Sequence, residues 1–156
     1  MNKVTVKELF SNISVYKNTE VQISGWVRNN RAQKQFGFLI INDGTCFSTV
    51  QAVYDEKLDN FNDVKKYRVG SAITVTGMVS ETKNAKQPFE INAASVILEG
   101  SSPEDYPIQP KKHSREFLRE VAYLRVRTSL FNAVFRIRSL VAFVIHQFFQ
   151  ERGFVY

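Results

Sequence analysis

Cysteine is almost missing from these 156 residues, with Cys46 the only one. A lone thiol excludes an internal disulfide framework and a cysteine-rich zinc site, and makes a reducing intracellular compartment the default expectation. Beside a turn it reads as a small filler. Histidine is nearly as scarce, and His113 and His146 have no partners at metal-ligand spacing, so both read as structural or exposed and no metal site is expected. No Ser/His/Asp set, Walker loop or carboxylate pair is visible, and no residue is assigned a catalytic role. There is no visible signal peptide. The most apolar window, Leu130 to Phe149, is interrupted by Arg136, Arg138 and His146, which argues against a membrane span.

Acid is what the last third lacks. Residues 1–110 hold 12 basic and 12 acidic side chains, whereas residues 111–156 hold 9 and 3, so the whole net charge of +6 lies there. The neutral part therefore cannot attract a polyanion by bulk charge and must rely on placed contacts.

The segment from Val21 to Asp55 supplies candidates. Apolar runs (Val21, Ile23, Val27; Phe36 to Ile41; Val50, Ala52, Tyr54) separated by polar or glycine-containing connections predict a three-stranded meander, with Asn42-Asp43-Gly44 as its clearest turn. Arg28, Arg31, Lys34, Phe36, Phe38 and Gln51 interleave along it. Aromatic rings stack bases while Arg and Lys follow phosphates, which suits a single-stranded nucleic acid. Phe36 and Phe38 share a parity and hence a face, unless a bulge at Gly37 separates them. On the residues alone, Phe38 reads as core more readily than as a stacking platform.

Thr5-Val6-Lys7-Glu8 has capping-box spacing for a short helix. Leu58, Phe61 and Val64 predict a second helix within Glu56–Lys66. Alternation over Ser71–Ser80 and Pro88–Leu98 predicts a fourth and a fifth strand, with Glu81–Gln87, carrying Lys83 and Lys86, as the loop between them. Three strands, a helix and two strands is the order of an OB-fold, a five-stranded Greek-key barrel whose ligand face is strands two and three. Gly100 to Lys112, with three prolines, reads as a linker. A short helix is expected in His113–Tyr123. Thr128 then caps a long one that stops at Gly153, with apolar residues over too wide an arc to be covered from one side. The expected organisation is a barrel over 1–100, a linker over 101–113 and the start of a second domain over 114–156, in which the chain stops.

Several stretches are similar to a known family: Gly25-Trp26-Val27-Arg28, Asn42-Asp43-Gly44-Thr45-Cys46-Phe47, Val50-Gln51-Ala52-Val53, Lys111-Lys112-His113-Ser114, Phe135-Arg136-Ile137-Arg138 and Glu151-Arg152-Gly153-Phe154. On these the chain resembles the N-terminal part of bacterial-type asparaginyl-tRNA synthetases, class II enzymes of the aspartyl, asparaginyl and lysyl subgroup. Tyr123 and Val126 depart from the His and Pro common among relatives.

The resemblance implies a mainly β anticodon-binding OB domain, then a linker and the long helix that begins a truncated α+β catalytic domain. It places Phe38 on the anticodon's middle uridine, Gln51 on the same base, Arg28 on the first base, and Glu90 with the Glu81–Gln87 loop near the third. Arg31, Lys34, Lys83 and Lys86 become RNA contacts, and Phe131, Phe135, Leu140 and Phe148 part of a motif 1 dimer interface. It implies tRNA(Asn) as partner, a cytoplasmic homodimer, and ATP with Mg²⁺ in the intact ligase but no cofactor in this part. Lacking motifs 2 and 3, the sequence is expected to be inactive in aminoacylation. Two other readings stay open: a fragment of an aspartyl-type enzyme, and a freestanding OB-fold module that holds single strands without catalysis. The basic run Lys111–Arg138 reads equally as a second RNA surface or as partner to acidic groups elsewhere.

Overall fold

The computed structural model describes residues 2–82 and 87–156, and the chain divides into two compact units, Met1–Lys111 and Lys112–Tyr156. Lys83 and Lys86 lie outside the described residues.

The first unit is the five-stranded barrel predicted from alternation, built from β2 (Glu20–Ala32), β3 (Phe36–Asn42), β4 (Val50–Asp55), β5 (Ala72–Glu81) and β6 (Phe89–Gly100). A two-residue strand not foreseen in the sequence, β1 (Asn2–Lys3), runs parallel to β2 at Val21 and Gln22. β2 also serves two antiparallel neighbours. Its first half pairs antiparallel with β5 and its second half with β3. The two ladders meet at Trp26, and a register shift follows between Val27 and Asn29, with Arg28 as the extra residue of the bulge; such a bulge bends a strand and adds twist. β3 pairs with β4 and β5 with β6, both antiparallel, while a short parallel contact of β4 with β6 (Ala52 beside Ile91, Val53 beside Asn92) completes the closure.

Inward residues of every strand fill the core: Val21, Ile23, Leu39, Ile41, Val75 and Ile91 are all fully buried. Each such aliphatic side chain contributes roughly 1.5–3 kcal/mol relative to exposure. Leu58, Phe61 and Val64 are buried as their spacing of three demands, but only Phe61 and Val64 sit on a helix, the single turn α3 (Phe61–Val64). The stretch before it is held in turns instead, with the Asp55 carboxylate accepting from the Lys57 N–H and the Asn60 side chain donating to the Val96 carbonyl.

Helix α1 (Val6–Ser11) begins at the predicted capping box, and a further turn, α2 (Ile13–Tyr16), follows it. The box is extended from outside. Thr5 Oγ1 accepts from the Glu8 N–H and Glu8 accepts from the Thr5 N–H, while the N–H groups of Val6 and Lys7 donate to Asp43 Oδ2 (2.8 Å) and Thr45 Oγ1 (3.2 Å). Every N–H from Thr5 to Glu8 thus has a partner, two of them supplied by the β3–β4 turn.

The second unit consists of α4 (Arg115–Glu120), capped by Ser114, a 3₁₀ turn at Arg125–Arg127, and α5 (Ser129–Gln150), capped by Thr128 Oγ1. At the far end Gly153, at φ 82°, takes the left-handed conformation that ends helices. The N–H of Gly153 reaches the Gln150 carbonyl, the N–H of Phe154 reaches that of Phe149, and the rings of Phe149 and Phe154 meet at 5.4 Å. This is a Schellman closure with its hydrophobic contact.

At 22 residues and 1.5 Å per residue, α5 is roughly 33 Å long. None of its residues is buried. Its length and mean hydropathy of 1.3 would allow it to cross a membrane. Arg136 and Arg138 lie near its middle, however, and an Arg at a bilayer centre costs about 2.5–3.5 kcal/mol.

Candidate nucleic-acid interface

Strict alternation along β3 sorts its side chains. Gly37, Leu39 and Ile41 face the core, while Phe36, Phe38 and Ile40 face outward. The register with β4 runs without interruption through Phe36–Asp55, Gly37–Tyr54 and Phe38–Val53, so no bulge separates the two aromatics. Their rings meet edge to face with centroids 5.5 Å apart. Phe36 thus props Phe38 from the side, and both keep part of their faces open to solvent.

What sits beneath Gly37 explains the gap between the two rings. The fully buried Tyr54 ring crosses under the β3 backbone, and a Cβ at position 37 would stand 2.3 Å from it. The Tyr54 hydroxyl donates to Asn30 Oδ1 (2.9 Å), and Asn30 Nδ2 donates to the carbonyls of Val64 (2.8 Å) and Tyr67 (3.1 Å). Burial raises the Tyr54 pKa, opposed by the Asn30 hydrogen bond, so the phenol stays neutral and donating. One amide therefore ties β2 to the end of α3 and to the residue that packs under the aromatic pair. Nothing in the sequence singled out Asn30, since an asparagine on a polar strand end needs no explanation.

Beside the rings runs a row of polar groups. Arg31 is opposite Phe38 in the β2–β3 ladder, with its guanidinium carbon 5.6 Å from the Phe38 ring centroid. Arg31 Nη2 donates to Gln51 Oε1 (3.3 Å), and Gln51 Nε2 donates to Glu90 Oε2 (3.3 Å). Phe38, Arg31, Gln51 and Glu90, four residues chosen from sequence, are thereby brought together across four strands. Arg31, Ile40, Gln51 and Glu90 help to line a cleft of about 300 Å³. The row carries one positive and one negative group, Arg31 and Glu90, joined through the neutral Gln51 amide.

The remaining candidates are placed differently. Arg28, in the bulge, is half-buried, and burial lowers its pKa against a smaller opposing effect of Tyr106. Tyr106 in turn lies over Gly70, in the segment expected to be linker. Lys34 is exposed in the β2–β3 connection. Phe131, Phe135, Leu140 and Phe148 all lie on α5, with Leu140 63% exposed. His113 stacks on Phe117, and no group of three or more His, Cys, Asp or Glu among the described residues could hold a metal ion.

The profile of the OB-fold nucleic acid binding domain, in its tRNA anticodon form, matches residues 21–99. The chain belongs to this OB-fold family. Over its full length it is also 53% identical to the asparagine–tRNA ligases of Alkaliphilus oremlandii and Clostridium acetobutylicum, of which it spans 34%. The resemblance to asparaginyl-tRNA synthetases read from the sequence is therefore borne out along the whole chain, which has about a third of the length of these curated relatives.

Among solved structures, asparaginyl-tRNA synthetase from Pyrococcus horikoshii complexed with asparaginyl-adenylate matches all of the chain and 36% of its own, with a TM-score of 0.84 at 24% identity. A putative aspartyl-tRNA synthetase from Leishmania major matches 98% of the chain and 33% of its own, at 0.86 and 18%. At these identities the likeness is one of fold. The OB-fold barrel followed by a long helix is the architecture expected from the sequence.

Proposed function

We propose that this chain is the anticodon-reading part of an asparagine–tRNA ligase, and that the row Phe38–Arg31–Gln51–Glu90 reads the bases. The observation that carries the proposal is the double use of the Gln51 amide. Its oxygen already accepts from Arg31 and its nitrogen already donates to Glu90, which fixes the plane and orientation of the group. An amide oxygen has two lone pairs and an amide nitrogen two protons, so the group keeps one acceptor and one donor site. A uracil edge offers the complementary N–H and carbonyl. Phe38, held in place by Phe36 and overlain by Arg31, supplies the stacking surface for that base.

Arg28 at the bulge and the neighbourhood of Glu90 are proposed for the flanking bases, Lys34, Lys83 and Lys86 for phosphates, and tRNA(Asn) as the cognate partner. The apolar residues Phe131, Phe135, Leu140 and Phe148 are proposed to be covered in a homodimer of the intact ligase, in the cytoplasm. ATP and Mg²⁺ belong to the proposed whole enzyme. The described residues contain no carboxylate cluster suited to the metal, and no step of adenylate chemistry is assigned to this chain.

The test is binding to two anticodon stem-loops at one stated salt concentration, one reading GUU and one with its middle U changed to C. The parent chain should prefer GUU, and Phe38→Ala and Gln51→Ala should each weaken GUU binding. Stacking alone accounts for about 1–3 kcal/mol per base. Equal binding of both stem-loops, or unchanged affinity in both variants, would remove the assignment.

A further inference from the structure

The parallel contact between β4 and β6 consists of only two register pairs, Ala52 beside Ile91 and Val53 beside Asn92. The ladder stops one residue short of Gln51, at the end of the barrel that carries the proposed reading row. Backbone groups beyond the end of a ladder need other partners. Here a side chain supplies them. Gln87 Oε1 accepts from the Gln51 N–H (3.2 Å), while Gln87 Nε2 donates to the Thr49 carbonyl (3.0 Å) and lies 3.4 Å from Thr49 Oγ1. The partners fix which way the amide points, because the Gln51 N–H can meet only an oxygen and the Thr49 carbonyl only an N–H. The main chain at Gln87 is itself held, with Thr82 Oγ1 donating to the Gln87 carbonyl and the Thr82 N–H reaching the Pro88 carbonyl at 3.0 Å.

A primary amide carries the same donor and acceptor as a peptide group. Gln87 thus stands in for one more peptide unit of β6 and extends the closure past the point where the two strands part. It also lines the cleft with Gln51 and Glu90. The 3.3 Å bond between those two side chains joins β4 to β6 across this same seam, so its length depends on how the seam is held.

We propose that Gln87 is a positioning residue for base selection: its side-chain amide holds the backbone at Thr49–Gln51 and so sets the orientation in which the Gln51 amide meets a base. The proposal rests on the anticodon-reading function proposed above. It differs from a base contact because the Gln87 amide spends its hydrogen bonds on the barrel, and from a general stability role because the affected quantity is selectivity.

The experiment uses the full chain, the two stem-loops reading GUU and GCU, and the variants Gln87→Met and Gln87→Glu. Met keeps the length and loses both bonds. Glu keeps an acceptor for the Gln51 N–H but sets a carboxylate against the Thr49 carbonyl. The ratio of the two dissociation constants should fall about tenfold in Gln87→Met, the equivalent of about 1.4 kcal/mol and within the range of two neutral hydrogen bonds. Gln51 amide exchange should quicken. Gln87→Glu should fall between Met and the parent in selectivity. A selective parent whose Gln87→Met variant keeps its ratio overturns the positioning role alone. A parent that does not discriminate overturns the anticodon reading and the positioning role with it.

Discussion

The barrel and the long helix treat apolar side chains in opposite ways. On β3 every second residue is either fully enclosed or part of an open face, and the two sets never mix. On α5 apolar residues spread over a wide arc and none is enclosed, with Ile137, Leu140 and Phe143 each more than 60% exposed. Leu, Ile, Val and Phe make up five of the seven residues of β3 and twelve of the 22 of α5. A strand in a closed sheet has its inside and outside decided by its ladder, whereas a helix acquires an inside only from what packs on it. The barrel residues are therefore complete in their contacts, and those of α5 await theirs.

That contrast can be tested by truncating one residue of each kind. Ile41→Ala, in the enclosed set, should cost about 2–5 kcal/mol in urea unfolding, while Leu140→Ala should stay within about 0.5 kcal/mol in the dissociated chain and weaken self-association in sedimentation velocity. Equal costs would show that α5 is already packed as a core. The next effect in size concerns the two faces of β3. Gly37→Ala places a methyl against the Tyr54 ring and should cost about 1–3 kcal/mol as overpacking. It should also weaken GUU binding, because relief of the clash moves the backbone between Phe36 and Phe38. A loss of stability with full binding retained would separate the platform from its support.

The smallest effect is at the edge of the barrel and depends on pH. The Thr5 N–H and hydroxyl hold the Glu8 carboxyl below its ordinary value of 4.5. A depressed folded-state pKa adds stability above the unfolded value, and this contribution is lost as pH falls through the folded one. The difference in urea midpoint between the parent and Glu8→Gln should therefore be present above 4.5 and shrink in stronger acid. A difference that grows in acid would contradict the capping geometry.

Much of this was readable from the sequence, for a physical reason. Period-two alternation marks strands wherever one side is buried, so β2 to β6 could be located, as could the capping box at Thr5 and Glu8 and the glycine stop at Gly153. Phe38, Arg31 and Gln51 stood out because aromatic, basic and amide residues met on one short meander. Asn30 and Gln87 did not. Their work is done on backbone groups more than thirty residues away, and bonds between a side chain and a distant main chain leave no period and no characteristic neighbour. The short helix predicted within Glu56–Lys66 is confined to Phe61–Val64 for a similar reason, because Asp55 and Asn60 direct their polar groups to turns and to β6. The apolar arc of α5 predicts cover on several sides, and its own unit buries none of its residues.

The trans-capping of α1 bears on the order in which the chain acquires structure. A six-residue helix is far below the length at which helices persist alone in water, and two of its first N–H groups are held by Asp43 and Thr45, which reach them only once the β3–β4 connection has turned. The N-terminal segment should then be among the last parts of the barrel to settle during refolding, and in pulse-labelled exchange the Val6 and Lys7 amides should gain protection after those of β3. Early protection of these amides would place the helix before the meander. A turn noticed first as a break in the meander thus acts as a latch, making the helix at Val6–Ser11 wait for residues that follow it by more than thirty positions.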